Sequence, residues 1–214
     1  MLTVRVPLLA GPYSMSFHMD PSESTEVIGV LFRPGAGRVF FPVPVHELHN
    51  DDVALNDLYP SDADLLLNEL CSATNTDAQF QAVERYLCRN LSKAIPIHPA
   101  VGYAIEQLCS EGAFRNVRQI QRDTGFSHTR FNQLFREQVG LTPKLFGRVR
   151  RFHAVLARVQ RGLPVNWAGL AADCGYFDQA HLIHDFRAFA GVTPREYCRA
   201  TPGPRITTVE NATD

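Results

Sequence analysis

The sequence predicts a mainly α-helical protein: two copies of a short two-helix unit hung on one long helix, behind a small α/β front part. Three observations lead there. First, "TGFSHTRFNQLFREQVGLTPKLF", Thr124 to Phe146, returns in distorted form as "CGYFDQAHLIHDFRAFAGVTPREY", Cys174 to Tyr197. Second, "PKLFGRVRRFHAVLARVQRG" runs between the copies with apolar residues at helical spacing up to Gly162. Third, a dense apolar run around a Pro-Gly turn occurs at residues 26–45.

In that run, Val27, Ile28, Val30, Leu31 and Phe32, then Val39, Phe40 and Phe41, read as two strands around Pro34-Gly35-Ala36-Gly37. Two strands are marginal without a covering element. From Ser61 the texture turns helical. "SDADLLLNELCSA" and "TDAQFQAVERYLCRNL" each open with a capping residue and an acid, then repeat apolar residues at helical spacing. Ile95-Pro96-Ile97-His98-Pro99 breaks the chain. A helix is expected next over Ala100–Glu111, with Val101, Ile105 and Leu108 on one stripe and Gly112 as its stop.

The repeat then takes over. Gly125 answers to Gly175 and Phe126 to Tyr176 at an offset of 50; Phe135 and Phe186, Arg136 and Arg187, Gly140 and Gly191, Thr142 and Thr193, and Pro143 and Pro194 pair at 51. The second copy carries one extra residue. In each copy a short helix ("NVRQIQRDTG", "NWAGLAADCG") ends at a glycine able to take the left-handed C-cap conformation. A short turn follows, then a second helix opened by Ser127 or Asp178, whose side-chain oxygens suit an N-cap. Two short helices around a tight glycine-bearing turn form a helix-turn-helix.

Spacing separates the faces of each second helix. Phe131, Leu134 and Phe135 in one copy, and Leu182, Ile183 and Phe186 in the other, make the apolar stripes. Thr129, Arg130, Asn132, Gln133 and Arg136 remain outward in the first, and Gln179, Ala180, His181, His184 and Arg187 in the second. Amide and imidazole groups match base edges, and guanidinium groups match phosphates. A face that only meets water more often carries Glu and Lys. On the joining helix Leu145, Phe146, Val149, Phe152, Leu156 and Val159 line one side, while Lys144, Arg148, Arg151 and Arg158 fall elsewhere. Thr142 caps it and Pro143 occupies its first turn. Pro143 to Arg161 would make a rod of about 28 Å, against about 34 Å between successive major grooves on one face of a duplex. Two copies then let a single chain read two half-sites.

Charge points the same way. The net charge is −1, yet residues 1–100 hold 6 basic and 12 acidic side chains, while Ala113–Thr201 hold 14 and 6, a net +8. A basic segment in a near-neutral protein suits a polyanion partner for that segment alone. No apolar run approaches the roughly 18 residues of a membrane span, and "MLTVRVPLLAGPYS" does not fit an export signal, so the cytoplasm is expected. The five cysteines, Cys71, Cys88, Cys109, Cys174 and Cys198, form no C-x-x-C pair, which argues against a zinc ribbon or disulfide framework and for small buried apolar roles.

Residues 97–200 resemble the DNA-binding domain of AraC/XylS-type bacterial transcription regulators, most strongly over "AADCGYFDQAHLIHDFRAFAGVTPREY", Ala171 to Tyr197. The resemblance implies seven helices, forming two helix-turn-helix subdomains on one long helix. It places base contacts at Thr129, Asn132 and Gln133 and at Gln179, Ala180, His181 and His184, with phosphates held by Arg130, Arg136 and Arg187. It puts Ala171 at a close helix crossing and Cys174 at a packing position. "EVIGVLFRPGAGRVFF", followed by "VHELHNDDVALNDLY", looks like the end of a cupin-like sensor. Such a sensor needs more strands than the first 25 residues supply, so the expectation is either a sensor whose first part is missing from this chain or one that has lost its ligand pocket, with small-molecule control weak or absent. The resulting division is 1–60 sensor remnant, 61–95 helical linker pair, 97–201 DNA-binding domain and 202–214 flexible tail.

Rival classes are weaker. His46-Glu47-Leu48-His49, with Asp51 or Asp52, offers metal ligands for an enzyme but lacks H-E-x-x-H spacing. DNA-repair alkyltransferases with an AraC-like domain need a metal-activated cysteine cluster that this sequence does not show. A helical interaction adaptor explains residues 61–94 but not the basic segment. The sequence therefore predicts a regulator that binds duplex DNA at the nucleoid, without catalysis, cofactor or metal, and with RNA polymerase and a second copy of the chain as further candidate partners.

Overall fold

The computed structural model describes residues 7–16, 27–41, 43–91, 96–110, 115–160 and 165–199. The expected stops at Gly112 and Gly162, and the 202–214 tail, lie outside them. Among the described residues the chain is mostly helical, with one small two-stranded sheet.

That sheet is not the expected hairpin. Strand β1 (Leu8–Ala10) pairs antiparallel with β2 (Asp52–Ala54), Leu8 opposite Ala54 and Ala10 opposite Asp52. Residues 27–33 form no strand, and Ala36–Val39 make a 3-10 turn behind Gly35, whose φ of +78° bends the chain. The aromatics gather around that turn: the Phe32 ring lies 5.2 Å from Phe40 and 6.0 Å from Phe41. An apolar run without strict alternation does not specify a ladder, and here side-chain clustering over a tight turn wins.

After a second 3-10 turn (Val45–Leu48), α1 (Leu55–Leu58), α2 (Pro60–Ser72) and α3 (Thr76–Leu91) follow. Phe41, Leu55, Ala63, Leu66 and Tyr86 form their core. Burial pushes the Tyr86 hydroxyl pKa up to about 12. Glu69 on α2 accepts from Arg85 at 2.9 Å and Arg89 at 3.0 Å on α3, and these hydrogen bonds lower its pKa. Cys71 and Cys88 sit on the outward faces of this helix pair and Cys198 is exposed too, so of the five cysteines only Cys174 has the fully buried role expected of all. The two-helix layer covers one face of each helix and leaves the other to solvent.

Among the described residues seven helices follow: α4 (Pro99–Cys109), α5 (Val117–Asp123), α6 (His128–Val139), α7 (Pro143–Val159), α8 (Trp167–Asp173), α9 (Gln179–Ala190) and α10 (Pro194–Arg199). His98 caps α4 by accepting from the Ala100 amide at 3.1 Å, and Pro99 suits the first turn, where no N–H is needed. Helix α7 opens on Thr142, which accepts from the Leu145 amide at 3.2 Å. It spans 17 residues and ends at Val159, with Gln160 as its cap, so its length is about 25 Å rather than the longer rod expected. Gly147 stands where α7 passes α4, and a Cβ there would lie 3.5 Å from Leu108.

Two cores use opposite ends of α7. Val101, Ala104, Leu108, Ile120, Phe131, Leu134, Phe135 and Phe146 enclose α4–α6, while Phe152, Val155, Val159, Leu170, Ala171, Cys174, Leu182 and Phe186 enclose α8–α10. Leu145 and Val149 of α7 border both. The front part reaches each: Pro12 and Val45 abut Gly140 at the end of α6, and Ser16 lies by Gly191 at the end of α9.

Candidate nucleic-acid interface

The first unit is α5 and α6. Asn116 opens α5 by accepting from the Arg118 amide at 2.9 Å, and Gly125 turns the chain with φ +73°. The side-chain amide of Gln121 donates to the Phe126 carbonyl and fixes the turn. Ser127 accepts from the Arg130 amide at 3.3 Å to start α6, and Gly140 ends it with φ +86°. The second unit repeats the pattern. Asn166 caps α8, Gly175 turns with φ +71°, Asp178 accepts from the His181 amide at 2.7 Å, and Gly191 ends α9 with φ +73°. Thr193 and Glu196 then cap α10 reciprocally: Glu196 accepts from the Thr193 amide at 2.7 Å and returns its own amide to the Thr193 hydroxyl at 3.3 Å. The Thr193 backbone amide holds the Glu196 carboxyl below its usual range.

Phe131, Leu134 and Phe135 are buried, as are Leu182 and Phe186; Ile183 is only half-buried. On α6, Thr129, Arg130, Gln133 and Arg136 are exposed and Asn132 half-buried. Asn132 lies 3.0 Å from a His128 ring nitrogen, and Gln133 donates to Glu137 at 2.9 Å. On α9, Ala180, His184 and Arg187 are exposed, while Gln179 and His181 are half-buried. The His181 ring meets Tyr176 edge-on at 5.2 Å. The ten side chains named from sequence thus fall on the outer sides of two capped helices.

Sequence spacing missed the groups that hold α9 in place. Asp185 lies on its apolar side, 1% exposed, and Arg148 of α7 donates to it from Nη2 at 2.7 Å and from Nε at 3.1 Å. The Arg148 guanidinium also lies over the Phe189 ring at 5.2 Å, and Arg151 covers Tyr176 at 5.4 Å. Two arginines placed away from the apolar face of α7 therefore tie it to the second unit. A usable signal was present: Asp185 falls three residues after Leu182 and beside Phe186, and a carboxylate on such a stripe calls for a cation. His181 Nε2 and His184 Nδ1 approach the same carboxylate at 3.9 and 3.7 Å.

Burial pushes the Tyr176 hydroxyl well above its ordinary range, and the negative charge of Asp185 adds to it, so Tyr176 remains a neutral donor. The buried Cys174 thiol is raised for the first of these reasons and stays protonated, which suits packing rather than attack. At the front, His49 Nε2 lies 2.8 Å from the Ser14 hydroxyl. No group of three His, Cys, Asp or Glu side chains able to hold a metal occurs among the described residues, and no helix among them is long and apolar enough to cross a membrane.

Residues 120–200 match a family model described as a helix-turn-helix domain, and residues 2–54 match a domain of unknown function, DUF6597. The front match spans both strands of the small sheet. No curated protein and no solved structure matches the chain. The matched span covers most of α5 and all of α6–α10, including both turns and both capped outer helices, and residues 120–200 are a helix-turn-helix domain.

Proposed function

We propose that this chain is a sequence-specific transcription regulator that sets α6 and α9 into two successive major grooves on one face of duplex DNA. The observation that carries the reading is the repetition of one build: each outer helix has an oxygen N-cap, a left-handed glycine end and an outward polar side, and both are anchored on α7. A recognition helix meets base edges with its first residues. Thr129, Asn132 and Gln133 are the base-reading groups of α6; Gln179, Ala180, His181 and His184 are those of α9. The Asn and Gln amides suit the paired donor and acceptor of adenine, His181 and His184 suit a guanine acceptor, and Ala180 suits a thymine methyl. Arg130, Arg136 and Arg187 hold phosphates, within a segment whose net charge is +8 from Ala113 to Thr201. Binding of this kind acts on transcription at the nucleoid, with RNA polymerase as the downstream partner.

Selection from a random duplex pool tests the reading. The enriched sequences should carry two conserved clusters with centres about 10 base pairs apart. A pool that does not enrich, or that enriches a single cluster, overturns it.

A further inference from the structure

The turns of the two units differ by one residue, and that residue is Phe177. In the first unit Gly125 and Phe126 lead directly to the cap Ser127; in the second, Gly175 and Tyr176 lead to Phe177 and only then to the cap Asp178. Tyr176 keeps the inward place, 5% exposed in the core with Cys174 and Leu182, under the Arg151 guanidinium. Phe177 points the other way and is 93% exposed, more than any other large hydrophobic side chain among the described residues. Scattered apolar side chains on a surface are ordinary. Here, however, exposure coincides with an added residue of a repeat, and with a position immediately ahead of the helix that begins with Gln179 and Ala180.

We propose that Phe177 is a specificity-determining DNA contact: its ring docks on a thymine C5-methyl at the edge of the base cluster read by α9. This rests on α9 lying in the major groove. The residues at the start of a recognition helix approach base edges, and apolar side chains, Phe included, recognise the thymine methyl that only the major groove displays. Tyr176 is turned inward and Asp178 is engaged with the His181 amide at 2.7 Å, so Phe177 is the apolar group this turn presents outward. The first unit has no counterpart, and its half-site carries no matching thymine preference.

The test uses the full chain as wild type, Phe177→Ala and Phe177→Leu, on the duplex obtained by selection and on duplexes in which each thymine in turn is replaced by uracil. Uracil keeps the pairing edge and lacks only the methyl. Wild type should lose about three- to fivefold in affinity at a uracil position in the α9 half-site other than the one Ala180 reads, the worth of about one buried methyl group. Phe177→Ala should lose as much on the thymine duplex and nothing further at that uracil; Phe177→Leu should keep most of the affinity. Unchanged thermal unfolding of the variants confirms that an exposed side chain was removed without damage to the fold. Wild type indifferent to every uracil overturns the proposal, because a weaker Phe177→Ala would then report a sugar contact. Phe177→Ala binding like wild type also overturns it. Wild type that binds no duplex at all fails at the earlier step, the reading of α9 itself.

Discussion

Arg148 of α7 and Asp185 of α9 meet through two donors on one carboxylate, Nη2 at 2.7 Å and Nε at 3.1 Å from Oδ1, with Asp185 1% exposed and the Arg148 side chain 28% exposed. The pair crosses from the joining helix to the outer helix of the second unit. It therefore sets the angle at which α9 is presented. Removing one partner of such a pair leaves a buried charge uncompensated, at a cost of about 3–5 kcal/mol. Asp185→Ala and Arg148→Ala should each lower stability toward that range, the aspartate variant less because water reaches the Arg148 left behind, whereas Asp185 is shut off from it. Arg148→Met with Asp185→Leu should recover most of the loss. Urea unfolding of the four proteins checks this; a double variant no more stable than either single one contradicts it.

Gly140 and Gly125 separate backbone strain from the reach of the front part. Both adopt positive φ, +86° and +73°, which costs a side chain about 1–2 kcal/mol. A Cβ at Gly125 meets nothing within 4 Å, whereas one at Gly140 runs into the Pro12 ring. Gly140→Ala should thus destabilise more than Gly125→Ala, and Pro12→Ala should relieve the excess. Thermal unfolding of the three single variants and the Gly140–Pro12 double variant measures the difference. Equal effects at both glycines would mean that Pro12 yields without cost.

Affinity for DNA should fall steeply with salt. If about five phosphates are neutralised, log K drops against log[salt] with a slope of about −4 to −5. Arg136→Ala or Arg187→Ala should each make the slope shallower by about one unit and weaken all sequences alike. Titrations between low and moderate salt read this directly, and a flat response is incompatible with the polyanion partner.

The two outer helices should specify separate base clusters. Asn132→Ala should relax preference only in the α6 cluster, and Gln179→Ala or His181→Ala only in the α9 cluster, at about 1–3 kcal/mol for the best base. Repeating the duplex selection with each variant distinguishes this from a helix that merely rests on phosphates. Uniform loss at every position in all three variants defeats the two-cluster arrangement.

Residues 97–201 should fold and bind DNA without the front part, since the cores on both ends of α7 are built from residues within that span. The fragment should unfold at lower temperature than the full chain, because Ile97, Ile105, Gly140 and Gly191 lose their neighbours Gly35, Pro12, Val45 and Ser16. Circular dichroism and a gel shift read both properties. A fragment that does not fold would show that the front part belongs to the domain.

The sequence by itself determined the elements whose causes are local. Ser127, Asp178 and Thr142 each bond an amide within three residues, and Gly125, Gly140, Gly175 and Gly191 each solve a steric problem in their own turn. Such causes are complete within a few residues, so the paired helix-turn-helix units and the outward sides of α6 and α9 were legible in advance. Tertiary structure decided what depends on distant partners. Leu8 pairs with Ala54 across most of the front part, and the aromatics of residues 32–41 cluster around a turn, so the expected hairpin gave way to another pairing. Asp185 is a core residue only because Arg148, 37 positions earlier, reaches it. Tyr176 and Phe177 are adjacent aromatics in a turn, where no periodicity assigns inside and outside. Tyr176 packs into the core with Cys174 beneath Arg151 of another helix, and Phe177 is left facing outward.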